Sequence, residues 1–155
     1  MISILLQLAA VYVCTIAVAI LFHMPKEQFL FCGLAGMAAW MGYLLALRLS
    51  LSVVLASFIS ALLLTAISRI FAVTRRTPII IFLVSGIFPL VPGAGIYYTA
   101  YYFIMGDNAL ALGKGVETIK IAVAIALGIV LMLSLPYSLF RGFGKRENPE
   151  KTPKL

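Results

Sequence analysis

Acidic residues are few and stand apart from the apolar runs: Glu27, Asp107, Glu117, Glu147 and Glu150 are the whole set. No acidic pair falls inside an apolar stretch, and no HExxH, GxSxG or phosphate-loop pattern occurs. The residues therefore offer no catalytic constellation. Cysteine is limited to Cys14 and Cys32, both in apolar stretches, where the thiol acts as a small hydrophobe. Two such residues build neither a disulfide framework nor a metal-ligand set, so no metal and no cofactor is expected. The single histidine, His23, ends an apolar run beside Met24-Pro25. It reads either as an interfacial loop residue or, because histidine titrates near neutrality, as part of a proton relay.

What is present in quantity is apolar: 63% of the chain is hydrophobic and 11% charged. A soluble domain carries roughly a quarter charged residues, so this balance belongs to lipid. A net charge of +7 does not point to nucleic acid, because Lys and Arg gather at the ends of apolar runs and from Arg141 to Lys154. Membrane proteins place cytoplasmic basic residues in this way.

A transmembrane helix needs about 20 apolar residues. The spacing predicts an all-α integral membrane protein with about five spans, near residues 2–22, 29–47, 51–68, 79–105 and 119–140, in one transmembrane domain over 1–140. The stretch 106–118 reads as a loop, and 141–155 as a basic, disordered cytoplasmic tail. Arg48-Leu49-Ser50 makes a tight hairpin between the second and third spans, and Thr77-Pro78 offers a capping hydroxyl with a proline at a helix start. With the N-terminus outside, nine Lys and Arg fall on the cytoplasmic side and three outside. A re-entrant fourth segment would separate the arginine-rich loop from the basic tail and is disfavoured.

The informative stretch runs from Ser85 to Thr99. Pro89, Pro92, Gly93 and Gly95 fall within seven residues, in the middle of an uncharged block. Proline removes a backbone donor and clashes with the preceding turn, so the fourth span is expected to open near mid-membrane. Freed backbone groups are intolerable against lipid and must face protein or a wet cavity, the arrangement in which many transporters bind their solute. The second half-helix would turn its amides, around Gly95 to Tyr97, toward that cavity and favour a carboxylate. A packing kink is the plainer reading of the same residues. The candidate solute-binding residues are Ser85, Pro89, Pro92, Gly93, Gly95, Tyr97, Tyr98 and Thr99, while Tyr101 and Tyr102 fit an interfacial aromatic belt equally well. Asp107 and His23 are candidates for gating or coupling. Small residues recur every four positions at Ala38-Gly42-Ala46, Ser52-Ala56-Ser60, Ala122-Ala126 and Ala124-Gly128, the pattern of closely packed helices.

The Pro89-Leu90-Val91-Pro92-Gly93 turn, the helix with tyrosines that follows it, His23-Met24-Pro25, the Phe31 to Gly36 stretch and the basic tail resemble the threonine/serine exporter family. The likeness is to the short subunit of its split, two-gene form and covers most of the chain. It implies a proton-driven secondary exporter for small polar solutes, threonine- and serine-like amino acids or dicarboxylates such as succinate. It also implies a prokaryotic plasma membrane and a larger partner subunit. A non-transporting assembly or scaffold protein and a small pore are the alternatives. No ionisable residue occupies the interior of an expected span, so a proton site would belong to the partner.

Overall fold

The computed structural model describes residues 2–136. The expected tail, 141–155, and the end of the last expected span lie outside the described residues. Six α-helices follow one another: α1 Ile2–Leu21, α2 Phe29–Arg48, α3 Val53–Arg75, α4 Ile80–Ile87, α5 Gly93–Ile104 and α6 Asn108–Ser134. Four of these are long and apolar enough to cross a membrane, and α4 with α5 make a fifth candidate, bent by 45° at its break.

Four helices end in the same way. A left-handed residue, His23, Ser50, Arg76 or Gly106, stands just past α1, α2, α3 or α5. The amide of the next residue then bonds five positions back, as in Met24 to Ala19 at 3.0 Å and Asp107 to Tyr102 at 3.0 Å. This closure satisfies carbonyls that a helix end leaves orphaned, and it favours glycine. Only Gly106 supplies that residue type; the other three ends hold a strained side chain instead. At the helix starts, Ser52 accepts from the Leu55 amide at 3.3 Å and Asp107 from the Leu110 amide at 3.1 Å. The expected Thr77 cap does not form, because its hydroxyl donates to the Arg75 carbonyl at 2.9 Å.

Small residues set the packing. Along α2 the buried face is Cys32, Gly33, Ala35, Gly36, Ala39, Gly42 and Ala46. The Ser60 hydroxyl of α3 reaches across to the Ala39 carbonyl at 2.6 Å. On α6, Ala124 and Gly128 are buried, Gly128 against α3, whereas Ala122 and Ala126 are exposed. A Cβ on Gly128 would stand 2.8 Å from the Phe58 carbonyl oxygen, so only glycine lets these backbones meet.

Two helices are longer than the charges in them suggested. Helix α3 runs through Arg69 to Arg75 because the Arg69 guanidinium is occupied: it donates to the carbonyls of Met132, Leu133 and Leu135 at 3.0, 3.0 and 2.7 Å. A fixed cation thus meets the orphaned carbonyls at the end of α6, just before Pro136. Helix α6 starts at Asn108, so 106–118 is helical for most of its length rather than a loop. Lys114 and Glu117 pair one turn apart at 3.0 Å on its surface.

These contacts also give direction. The end of α3 meets the end of α6 through Arg69, and Gly128, about two turns before that end of α6, meets the first half of α3. The two helices therefore run the same way, and α4 with α5 must carry the chain from the end of α3 back to the level where α3 begins. Arg69, Arg75 and Arg76 share one end of the bundle, where Arg75 lies 4.6 Å over the Phe31 ring and its Nε donates to Gln28 at 3.4 Å.

Candidate functional site

Helix α4 stops at Ile87 and tightens into a 3-10 turn over Phe88–Leu90. The Val91 amide bonds the carbonyls of Ile87 and Phe88, at 3.2 and 3.3 Å, and the chain then turns extended at Val91. Pro92 has no N–H, and Gly93 N–H reaches only two residues back, to Val91 at 2.7 Å. The first bond of α5 is Ile96 N–H to Pro92 at 3.2 Å. The amides of Ala94 and Gly95 therefore precede the new ladder, while those of Ile96 and Tyr97 are inside it. The expected set of free amides, Gly95 to Tyr97, shifts back accordingly.

Beneath this break lies a cavity of about 410 Å³. One wall is the break itself, Pro89 through Gly95, with Tyr98 one turn on. The facing walls are Trp40 and Tyr43 of α2, Val53 and Ser57 of α3, and Lys114, Glu117, Thr118 and Ile121 of α6. The break thus stands opposite the first half of α6 and beside the first turn of α3. A volume of this size lies in the range that small-molecule sites occupy.

Polar groups are concentrated on the α6 wall. Lys114 and Glu117 carry its two charges, and the Thr118 hydroxyl donates to the Lys114 carbonyl at 2.7 Å. Across the cavity, Ser57 donates to the Val53 carbonyl at 2.8 Å, leaving its oxygen able to accept. The indole Nε1 of Trp40 is buried and has no hydrogen-bond partner among the described residues. Buried donors of this kind are rarely left unmet in proteins.

The sequence candidates divide. Pro89, Pro92, Gly93, Gly95 and Tyr98 come together on the cavity wall. Ser85 does not: it is buried inside α4 and donates to the carbonyls of Ile81 and Phe82, at 2.9 and 3.2 Å. Tyr97 is 63% exposed on the outer side of α5, stacked on Tyr101 at 6.3 Å. Thr99 turns toward α6 and donates to the Gly95 carbonyl at 2.7 Å, lining a separate apolar groove. Asp107 caps α6, and His23 terminates α1. Neither lines the cavity. Among the described residues, no three His, Cys, Asp or Glu side chains gather as a metal site would need.

The α6 wall was missed from sequence because Lys114 and Glu117 read as loop markers. Their i, i+3 spacing, with Thr118 beside them, was the available signal for one polar helix face.

The family described as Threonine/Serine exporter, ThrE, matches residues 7–135, which reaches every helix and includes the break. This chain belongs to the threonine/serine exporter family. Membership makes it a multi-pass membrane protein of a transporter family, not of an enzyme family, and implies amino-acid export. No curated protein and no solved structure matches the chain.

Proposed function

We propose that the chain is the membrane subunit of a secondary exporter for small polar solutes, threonine- and serine-like amino acids or dicarboxylates, and works with a larger membrane subunit. The solute binds in the cavity beneath the Pro89–Gly95 break. The observation that carries this reading is the joining, around one cavity, of an opened backbone with the charged and hydroxyl groups of α6 and α3. Opened backbone inside a membrane protein needs a wet or protein-lined surface, and a solute path provides one.

The N-terminus lies outside and the cytoplasmic end carries Arg69, Arg75 and Arg76, in keeping with the distribution of basic residues. On that orientation the cavity lies toward the outer half of the protein, on the side where an exported solute leaves. The proton site belongs to the larger subunit.

The test is efflux of labelled threonine and labelled succinate from cells with and without the chain and its partner, with Gly93→Leu as the blocking variant. A Cβ at Gly93, on the cavity wall, meets no atom within 4 Å, so a larger side chain can be attached there without an overlap at its first carbon. Efflux of either solute that depends on the chain and stops in Gly93→Leu, with protein still in the membrane, supports the site. Unchanged efflux in that variant removes it.

A further inference from the structure

Lys114 and Glu117 stand one turn apart on the cavity wall, paired at 3.0 Å, each side chain about half exposed (48% and 49%). An exposed pair of this kind contributes little to stability, because water competes for both charges. Exchanging the partner is correspondingly easy. A solute that offers one cation and one anion can replace the internal pairing by two new ones, without leaving a charge unmatched in the cavity.

We infer, resting on the reading of the cavity as the solute site, that Lys114 and Glu117 are its specificity-determining residues and select a zwitterion over a dicarboxylate. The solute carboxylate takes Lys114, and its ammonium takes Glu117. The groups nearby fit that polarity. Thr118 and Ser57 have hydroxyl oxygens free to accept, each already donating to a carbonyl of its own helix. Tyr98 lines the opposite wall, and a tyrosine hydroxyl suits a short polar side chain. A dicarboxylate fares worse, because its second anion faces Glu117, and like charges in a confined site repel. A purely cationic solute meets the same obstacle at Lys114. The cavity therefore discriminates by charge pattern as well as by size.

The experiment compares efflux of labelled threonine and labelled succinate from the same cells, using the chain with its partner. Because the succinate-to-threonine ratio is read within one culture, it does not depend on how much protein reaches the membrane. Glu117→Gln is expected to lower threonine efflux roughly tenfold or more, the loss of one charge-assisted contact to the solute, and to raise the ratio. Lys114→Gln lowers both fluxes. Glu117→Asp, which keeps the charge on a shorter arm, retains the wild-type ratio. Exchanging the two charges, Lys114→Glu with Glu117→Lys, restores an internal ion pair and would rescue a merely structural role, yet it leaves threonine efflux low. A ratio unchanged in Glu117→Gln, or full rescue by the exchanged pair, overturns the inference while the cavity stands. Failure of Gly93→Leu to block efflux removes the cavity itself.

Discussion

Gly95 of α5 lies against Thr118 of α6 so closely that a Cβ on residue 95 would overlap the threonine hydroxyl. Two residues earlier, a Cβ on Gly93 would meet nothing within 4 Å. The two glycines of the break therefore do different work: one lets α5 seat on α6, and the other keeps space open above the cavity. Gly95→Ala is expected to destabilise the protein by about 1–3 kcal/mol, the usual cost of forcing an extra carbon into a packed contact. Adding Thr118→Ala, which clears the hydroxyl, should restore much of it. Gly93→Ala should leave the melting temperature of the purified protein nearly unchanged. Equal effects of the two alanines would contradict the contact.

Arg69 joins the end of α6 to α3. Replacing it by methionine leaves the carbonyls of Met132, Leu133 and Leu135 without that donor. A loss of about 1–2 kcal/mol is expected, because only the Met132 carbonyl is part-buried and those of Leu133 and Leu135 are exposed. Arg69→Lys should recover only part, because an ammonium cannot reproduce the planar fork. Thermal unfolding in detergent reads both, and a methionine variant as stable as wild type would show the linkage to be idle.

His23 and Asp107 have structural explanations that can be separated from a role in coupling. His23 adopts φ 53° past α1, a conformation that costs a side chain ~1–2 kcal/mol and glycine little. His23→Gly should therefore raise stability by about 1 kcal/mol and leave export unchanged; loss of export with an intact fold would make His23 a relay after all. Asp107→Asn preserves the cap, whereas Asp107→Ala should cost about 1 kcal/mol. Export by the Asn variant at the wild-type rate is expected.

Much of the architecture was legible as runs of apolar residues. Helices α1 and α2 came within a residue of their expected ends because His23-Met24-Pro25 and Arg48 punctuate them. The break was legible because two prolines cannot sit in an unbroken ladder. The end of α3 and the start of α6 were not: Arg69 is held by a tertiary contact with α6, while Lys114 and Glu117, which read as loop markers, form a local i, i+3 pair on the α6 surface. The site was half legible for a similar reason. Successive helix residues turn by about 100°. Once Tyr98 faces the cavity, Tyr97 points outward, while Thr99, one turn past Gly95, faces α6 beyond the cavity, and no single-sequence pattern sets that phase. Ser85 lies a full turn back inside α4, where its own carbonyls satisfy it.

Orientation is open to a direct check. A cysteine placed at Gly106, between α5 and α6, should react with an impermeant maleimide added to whole cells. One at Thr77, between α3 and α4, should react only after the membrane is opened. The reverse pattern would invert the proposed topology and put the cavity toward the cytoplasm.

The central claim is that a solute occupies the space beneath the broken helix. Gly93→Cys, in a background lacking Cys14 and Cys32, puts one thiol at that wall, and its rate of maleimide labelling can be followed in membranes holding the chain with its partner. Threonine in excess should slow labelling of this cysteine several-fold while leaving a control cysteine at Gly113, outside the cavity, unaffected. Labelling of Gly93→Cys at the same rate with and without solute would contradict the account.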